Sequence, residues 1–218
     1  MTPRLFFHPL ASYCWKALIA LYENDTPFEP VIVDLGDPAA REAFLKVWPL
    51  GKFPVLQDTS RDWLVPEATI IVEYLDRHYP GRSRLVPADP DRARQARMRD
   101  RFFDNYVMTP MQKIVGDRIR PAGMRDLFGV DEARAQLRTA CAIVEQDIGA
   151  RWAMGDDFTL ADIAAAPSLY YADKVAPLTQ DFPKTAAYLE RLCGRPSFAR
   201  VIEEAGPYFR FFPAEPLP

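Results

Sequence analysis

The pattern of the 218-residue chain changes near residue 81, and this change constrains the fold more than any other feature. Before it, short apolar runs alternate with segments of helical periodicity; after it, strand patterns disappear. The stretch at the change contains Gly81, Pro87 and Pro90 among polar and basic side chains, a composition typical of a linker. We therefore predict a first domain over 1–81, a linker over 82–90 and a second domain over 91–218.

The first domain is predicted to have the order β-α-β-α-β-β-α, a small α/β sandwich. Apolar runs bounded by Pro, Gly or Asp indicate the strands, and apolar residues at helical spacing indicate the helices. The predicted strands span 4–7, 31–33, 53–57 and 63–65, and the predicted helices span 13–23, 39–47 and 66–79.

The second domain is predicted to be all-α, with helices over 91–113, 131–152, 159–173, 183–193 and 197–204. Pro110 and Pro167 are expected to interrupt two of these helices. Thr159 and Asp162 have the spacing of a capping box, in which each side chain bonds the backbone of the other residue. We interpret this pair as a folding element rather than a functional site.

The composition excludes several classes of protein. The net charge of −3, from 27 basic and 30 acidic residues, argues against a general nucleic-acid binder. Three scattered cysteines do not make a disulfide framework, and the two histidines lack metal-ligand neighbours. Neither a signal peptide nor a membrane span is apparent. We therefore expect a cytoplasmic protein with no metal, nucleic-acid partner or membrane partner.

The first candidate for function is Phe53-Pro54, at the start of a predicted strand. Proline has no backbone N–H, so a trans Pro54 would leave the sheet ladder without a donor at this position. A cis bond would turn the chain and expose the backbone of Phe53 for pairing with an extended, peptide-like ligand. The base rate of cis bonds is low, so the residues alone leave both possibilities open.

Two further candidates lie at predicted helix starts. Glu67 either stabilises the helix dipole or binds the ammonium group of a ligand whose carboxylate meets the backbone N–H groups of residues 68 and 69. Ser12, Tyr13 and Cys14 lie between the first strand and the first helix. They either cap the helix or stabilise a nearby thiolate.

These segments in series make the chain similar to the cytosolic glutathione transferase superfamily. The resemblance is carried by Pro49-Leu50-Gly51-Lys52-Phe53-Pro54-Val55-Leu56, by Pro66-Glu67-Ala68-Thr69-Ile70-Ile71 and by Phe158-Thr159-Leu160-Ala161-Asp162, and it covers essentially the whole chain. It implies a thioredoxin-like first domain, an all-α second domain and a homodimer.

The resemblance also implies roles for individual residues. Phe53 would offer its backbone to the cysteinyl part of glutathione beside a cis Pro54. Lys52 would hold the glycyl end, and Glu67 with the residue-68 amide and the neighbouring Thr69 would hold the γ-glutamyl end. The candidates for the thiol-activating group are Ser12, Tyr13 and Cys14. The hydrophobic substrate pocket would include Leu10, Trp15, Phe103, Tyr106 and Val107.

Two residues depart from the family pattern. Ala68 stands where a serine usually contacts the γ-glutamyl carboxylate, and Ala11 stands where the thiol-activating Ser or Cys is usual.

Taken as a whole, the resemblance implies a glutathione S-transferase that conjugates glutathione to a hydrophobic electrophile, a detoxification reaction. A zeta-like glutathione-dependent isomerase and a non-catalytic glutathione-binding protein remain as alternatives.

Overall fold

The computed structural model describes residues 2–149, 151–178 and 180–215. The chain forms two compact units. The first contains the residues up to Val86 together with Ser197–Tyr208, and the second contains Pro87–Pro196 with the residues from Phe209 onward. The units divide near residue 86, and Ser197–Tyr208 groups with the first unit although it lies late in the chain.

The first unit is built on one four-stranded sheet in the order β2-β1-β3-β4. Its strands are β1 (Arg4–Phe7), β2 (Glu29–Ile32), β3 (Val55–Asp58) and β4 (Trp63–Pro66). Strand β1 pairs in parallel with β2 and antiparallel with β3, which in turn pairs antiparallel with β4. This is a thioredoxin-like arrangement, with the strand and helix order that the sequence predicted.

Three helices connect these strands: α1 (Ser12–Glu23), α2 (Pro38–Val47) and α3 (Ala68–His78). Phe6, Val33, Phe44 and Val55 form a buried core between the sheet and α2. Helix α2 begins as its sequence requires, since Asp37 caps the Ala39 N–H and Pro38 occupies the first turn.

The late helix α9 (Pro196–Ala205) explains why Ser197–Tyr208 belongs to the first unit. The Phe198 ring meets the edge of Trp15 in α1, with ring centroids 5.7 Å apart. The Tyr22 hydroxyl donates to Glu204 at 2.6 Å, and Arg200 lies over the Tyr22 ring. These contacts join residues more than 170 positions apart, so periodicity along the chain could not reveal them.

The second unit is helical, as predicted, and its main helices are α4 (Pro90–Phe102), α5 (Thr109–Arg118), α6 (Leu127–Asp147), α7 (Leu160–Val175) and α8 (Pro183–Cys193). Helix α6 ends before residue 148, so the predicted helix over 131–152 extends too far, and Ala150 within it lies outside the described residues. Short 3₁₀ turns at Ala122–Met124 and Gly206–Phe211 were not predicted.

The predicted helix over 91–113 contains a π-helical segment, Phe103–Met108, between α4 and α5. The Thr109 N–H donates to the Asp104 carbonyl, five residues back, and the Thr109 hydroxyl donates to the same oxygen at 3.1 Å. Pro110 has no N–H to continue the α-helical ladder. The expected interruption at Pro110 is therefore a local widening of the helix rather than a break.

Pro167 does not interrupt its helix, which corrects the prediction. Helix α7 continues through it, and Ala164, Ala165 and Ala166 before it are fully buried. Because most helical stability in proteins comes from tertiary packing, a buried helix can tolerate one lost backbone bond. The capping box that begins α7 is present: the Asp162 carboxylate accepts from the Thr159 N–H at 2.9 Å.

Candidate functional site

The loop before β3 presents the backbone of Phe53 next to a cis proline. The Phe53–Pro54 peptide bond is cis, and Gly51 just before it has a φ of +62°, which favours glycine. Within the part of the chain that the structure describes, the backbone of Phe53 makes no hydrogen bond to another residue. Lys52 is exposed. The loop therefore offers a backbone donor and acceptor next to an accessible cation.

The side chain of Phe53 is held in place by aromatic contacts. Its ring lies 6.2 Å from that of Phe44 in the core and 6.1 Å from that of His8, with the His8 ring tilted by only 20°. The Phe44 and His8 contacts together fix the position of the residue while its backbone remains unpaired.

The start of α3 is left open. Glu67, the residue before the helix, is exposed and has a φ of 72°, a conformation that costs a non-glycine residue about 1–3 kcal/mol. In the described structure, the side chain of Glu67 makes no capping hydrogen bond to this helix. The first N–H groups of any helix lack partners within the helix, and with the positive end of the dipole they are well suited to bind a carboxylate.

A buried lysine lies next to this helix start. Lys16 in α1 has no exposed surface, and its ammonium group donates to the Thr69 hydroxyl at 2.9 Å. A cation in a low-dielectric environment acts more strongly on a neighbouring anion than one in water. Lys16 therefore adds positive charge close to the first turn of α3.

The three candidates for thiol activation differ in accessibility. Ala11 occupies the N-cap position of α1, and Ser12 is its first helical residue with 7% of its surface exposed. Tyr13 is partly exposed, with its ring 5.9 Å from the Lys16 ammonium. Cys14 has no exposed surface, and its burial raises the pKa of its thiol far above the ordinary value. Cys14 is thus the least suited of the three to meet a ligand thiol.

The predicted pocket residues also divide by burial. Trp15 is fully buried, and its indole N–H donates to the Pro9 carbonyl at 2.6 Å. Phe103 and Val107 lie in the interior of the helical unit, and Leu10 is partly exposed. Tyr106 is 60% exposed and lines an apolar cleft of about 640 Å³ between α6 and the π-helical segment. Of the five, Leu10 and Tyr106 have the most accessible surface.

Sequence reasoning missed two residues beside the site, His8 and Lys16. A lysine within the apolar stretch of α1 was a visible signal, because lysine is almost never fully buried without a partner. His8 gave no pattern of its own, since its contacts come from residues distant in the chain.

Among the described residues, no group of three or more His, Cys, Asp and Glu side chains could hold a metal ion. In the same residues, every helix is too short or too polar to cross a bilayer.

Comparisons with known proteins agree with this geometry. Residues 5–83 match the family model for the glutathione S-transferase N-terminal domain, and residues 128–191 match the model for the C-terminal domain. Glutathione S-transferase GstB of Escherichia coli is 26% identical over 86% of this chain and 91% of its own length. Glutathione S-transferase F6 of Arabidopsis thaliana is also 26% identical, over 91% of this chain and 98% of its own length.

Solved structures show the same similarity over nearly the whole chain. A glutathione S-transferase from Methylobacillus flagellatus with glutathione bound has a TM-score of 0.82 and 26% identity, covering 92% of this chain and 98% of its own. One from Methylobacterium radiotolerans, in complex with glutathione sulfonate, has a TM-score of 0.80 and 27% identity, covering 100% and 98%.

Proposed function

Because this chain belongs to the cytosolic glutathione transferase superfamily, we propose that it binds glutathione in an extended conformation and conjugates it to a hydrophobic electrophile. The open start of α3, with Glu67 at a φ of 72° and no capping hydrogen bond from its side chain in the described structure, is the observation that carries this proposal. Such strained residues cluster at ligand clamps, where the strain supports binding.

Each end of glutathione has a candidate partner. The backbone of Phe53 pairs with the cysteinyl residue in the manner of a β-strand. The N–H groups of Ala68 and Thr69 receive the γ-glutamyl carboxylate, and Glu67 receives the ammonium group. Lys52, which is exposed, receives the glycyl carboxylate.

The chemical step requires a thiolate. Ser12 is the proposed hydroxyl donor, at the positive end of the α1 dipole. Lowering the thiol pKa from about 8.5 toward about 6.5 raises the thiolate fraction at neutral pH from a few per cent to most of it. The proton goes to solvent, the sulfur lone pair forms a bond to carbon, and with a halide substrate the halide leaves with its electron pair.

A spectrophotometric assay with a halonitroarene tests the reaction. We expect wild-type turnover, and we expect Glu67→Ala to reduce kcat/KM at least about tenfold through KM for glutathione, since a hydrogen bond to a charged group contributes about 1.5–3 kcal/mol. Glu42→Ala, an exposed carboxylate on α2, is the control and should retain activity. Failure of the wild type to bind glutathione would contradict the proposal.

A non-catalytic glutathione-binding role is the second candidate. Ala11 at the N-cap of α1 and Ala68 at the start of α3 both lack the hydroxyl that the family pattern predicts, and this absence favours it. Binding of glutathione without turnover of halonitroarenes, hydroperoxides or a maleyl-type diketo acid would support this role; turnover of the diketo acid alone would indicate an isomerase.

We also propose that Tyr106 contacts the electrophile and that the protein is a cytoplasmic homodimer. The free cysteines Cys14, Cys141 and Cys193 fit a reducing compartment. Tyr106→Ala should raise KM for a hydrophobic electrophile and leave KM for glutathione unchanged. Sedimentation velocity of the wild type measures the oligomeric state. If a partner subunit, rather than an electrophile, covers this cleft, Tyr106→Ala should be a monomer in the same measurement.

A further inference from the structure

His8 lies beside the proposed glutathione site and has no role in the function proposed above. It follows β1 directly, and its half-buried ring stacks on Phe53 at 6.1 Å with an angle of 20°. The edge of Tyr208 closes another side of the ring at 5.8 Å. The imidazole is therefore held next to the residue whose backbone would bind the cysteinyl part of glutathione.

The hydrogen bonds of the loop identify which ring nitrogen carries the proton. The Leu10 N–H donates to Nδ1 of His8 at 3.2 Å, so Nδ1 acts as an acceptor. In a neutral imidazole, one nitrogen accepts and the other carries hydrogen. Nε2 of His8 is consequently an N–H donor.

The charge state of the ring is consistent with this arrangement. Burial lowers the pKa of His8, and the nearby Asp34 carboxylate offsets this only in part. A ring that is neutral near pH 7 keeps Nδ1 available to Leu10 and Nε2–H available to an anion. The His8 carbonyl also accepts from the Ala11 N–H at 3.0 Å, which fixes the loop that leads into α1.

We propose that the Nε2–H of His8 donates a second hydrogen bond to the thiolate of bound glutathione, in addition to that of the Ser12 hydroxyl, since Ala11 has no hydroxyl to offer. The inference rests on the proposed function. The cysteinyl sulfur is two bonds from the Cα whose amide groups pair with Phe53, so it stays close to the ring stacked on that residue. A hydrogen bond from N–H to an anion lowers the pKa of the acid that forms the anion.

Two conservative variants separate this role from a purely structural one. Asparagine places an oxygen near the position of Nδ1, so His8→Asn keeps the acceptor for Leu10 and loses the distal donor. Glutamine places an amide nitrogen near the position of Nε2, so His8→Gln keeps the distal donor and loses the loop acceptor. His8→Phe removes both polar functions and keeps the aromatic stack.

The measurement is the pH titration of thiolate absorbance for glutathione bound to each variant, with affinity measured separately using S-methylglutathione. We expect His8→Phe and His8→Asn to raise the thiol pKa by about one unit, a tenfold change in the equilibrium. His8→Gln should restore most of the wild-type value. The affinity for S-methylglutathione, which has no ionisable thiol, should change little in His8→Gln and His8→Asn.

The opposite pattern, in which His8→Asn is normal and His8→Gln is impaired, would overturn the inference and assign His8 to the shape of the loop. An unchanged thiol pKa in all three variants would overturn it as well. If the wild type fails to bind S-methylglutathione, the proposed function itself fails, so the two failures are distinguishable.

Discussion

The N-termini of α3 and α7 differ in how their first backbone N–H groups are capped. Both helices begin with backbone N–H groups that lack partners within the helix. At α7 there is a buried capping box, in which the Thr159 hydroxyl accepts from the Ala161 N–H and the Asp162 carboxylate accepts from the Thr159 N–H. At α3, Glu67 adopts a strained conformation, and in the described structure its side chain makes no capping hydrogen bond to the helix. We interpret the first arrangement as a folding element, and we propose that the second keeps a binding site available.

The difference is also visible in the neighbours of each helix start. The Asp162 carboxylate also accepts from the Ala153 N–H and the Tyr188 hydroxyl, both at 2.7 Å, so its hydrogen bonds are made within the protein. Next to α3 there is instead a buried cation, Lys16, bonded to Thr69. A closed start with an internal anion thus contrasts with an open start beside an internal cation.

The largest effect is expected from Asp162→Ala. It leaves buried donors at Thr159, Ala153 and Tyr188 without an acceptor, so the free energy of unfolding should fall by about 3–4 kcal/mol. Urea denaturation measures this, with the exposed Asp156→Ala as a control that should stay within about 0.5 kcal/mol of the wild type. Thr159→Ala, a milder variant, should lose about 1 kcal/mol. If folded Thr159→Ala lost as much glutathione affinity as Glu67→Ala, the contrast between the two helix starts would be contradicted.

Glu67→Gly should separate binding from stability. Glycine adopts a positive φ without strain, so the free energy of unfolding should stay the same or rise by up to about 1 kcal/mol. Glutathione affinity should fall at least about tenfold, because a hydrogen bond to the ligand ammonium is lost. Calorimetric titration and thermal unfolding measure the two quantities. Glu67→Ala, the control, should lose affinity without the gain in stability. If Glu67→Gly instead lost stability and kept its affinity for glutathione, Glu67 would be a helix cap.

Lys16→Met should weaken glutathione binding by about three- to tenfold, the effect of losing about 1 kcal/mol of charge interaction. The loss should disappear with an analogue that lacks the γ-glutamyl α-carboxylate, because Lys16 acts on that group. Lys46→Met, an exposed lysine on α2, is the matched control. An equal loss for glutathione and the analogue would mean that Lys16 only supports the packing of α1 against α3.

The smallest effect is expected from Ala68→Ser. Ala68 is 5% exposed at the first position of α3, and a serine there would add a hydroxyl donor for the γ-glutamyl carboxylate. A net hydrogen bond contributes about 0.5–1.5 kcal/mol, so affinity should rise two- to tenfold. Calorimetry with S-methylglutathione measures the change. A weaker complex would indicate that the carboxylate does not bind at this helix start.

The sequence predicted the capping box at α7, but at α3 it left two interpretations of Glu67 open. The capping box could be predicted because Thr159 and Asp162 are only three residues apart. The order of strands and helices along the chain could be predicted from local apolar patterns. The positive φ of Glu67 could not be predicted, since no local sequence pattern assigns a glutamate to the left-handed region. The contacts of Lys16 with Thr69 and of α9 with α1 join distant parts of the chain, and they become visible only when the fold brings them together.

The most direct test of the central claim is an NMR titration of the ¹⁵N-labelled protein with glutathione. If the open start of α3 is the binding site, the backbone amides of Phe53, Ala68 and Thr69 should shift saturably, and those of Ala161 and Asp162 should not. Saturating glutathione that left the α3 amides unmoved would contradict the account. Equal shifts at the starts of α3 and α7 would contradict it as well.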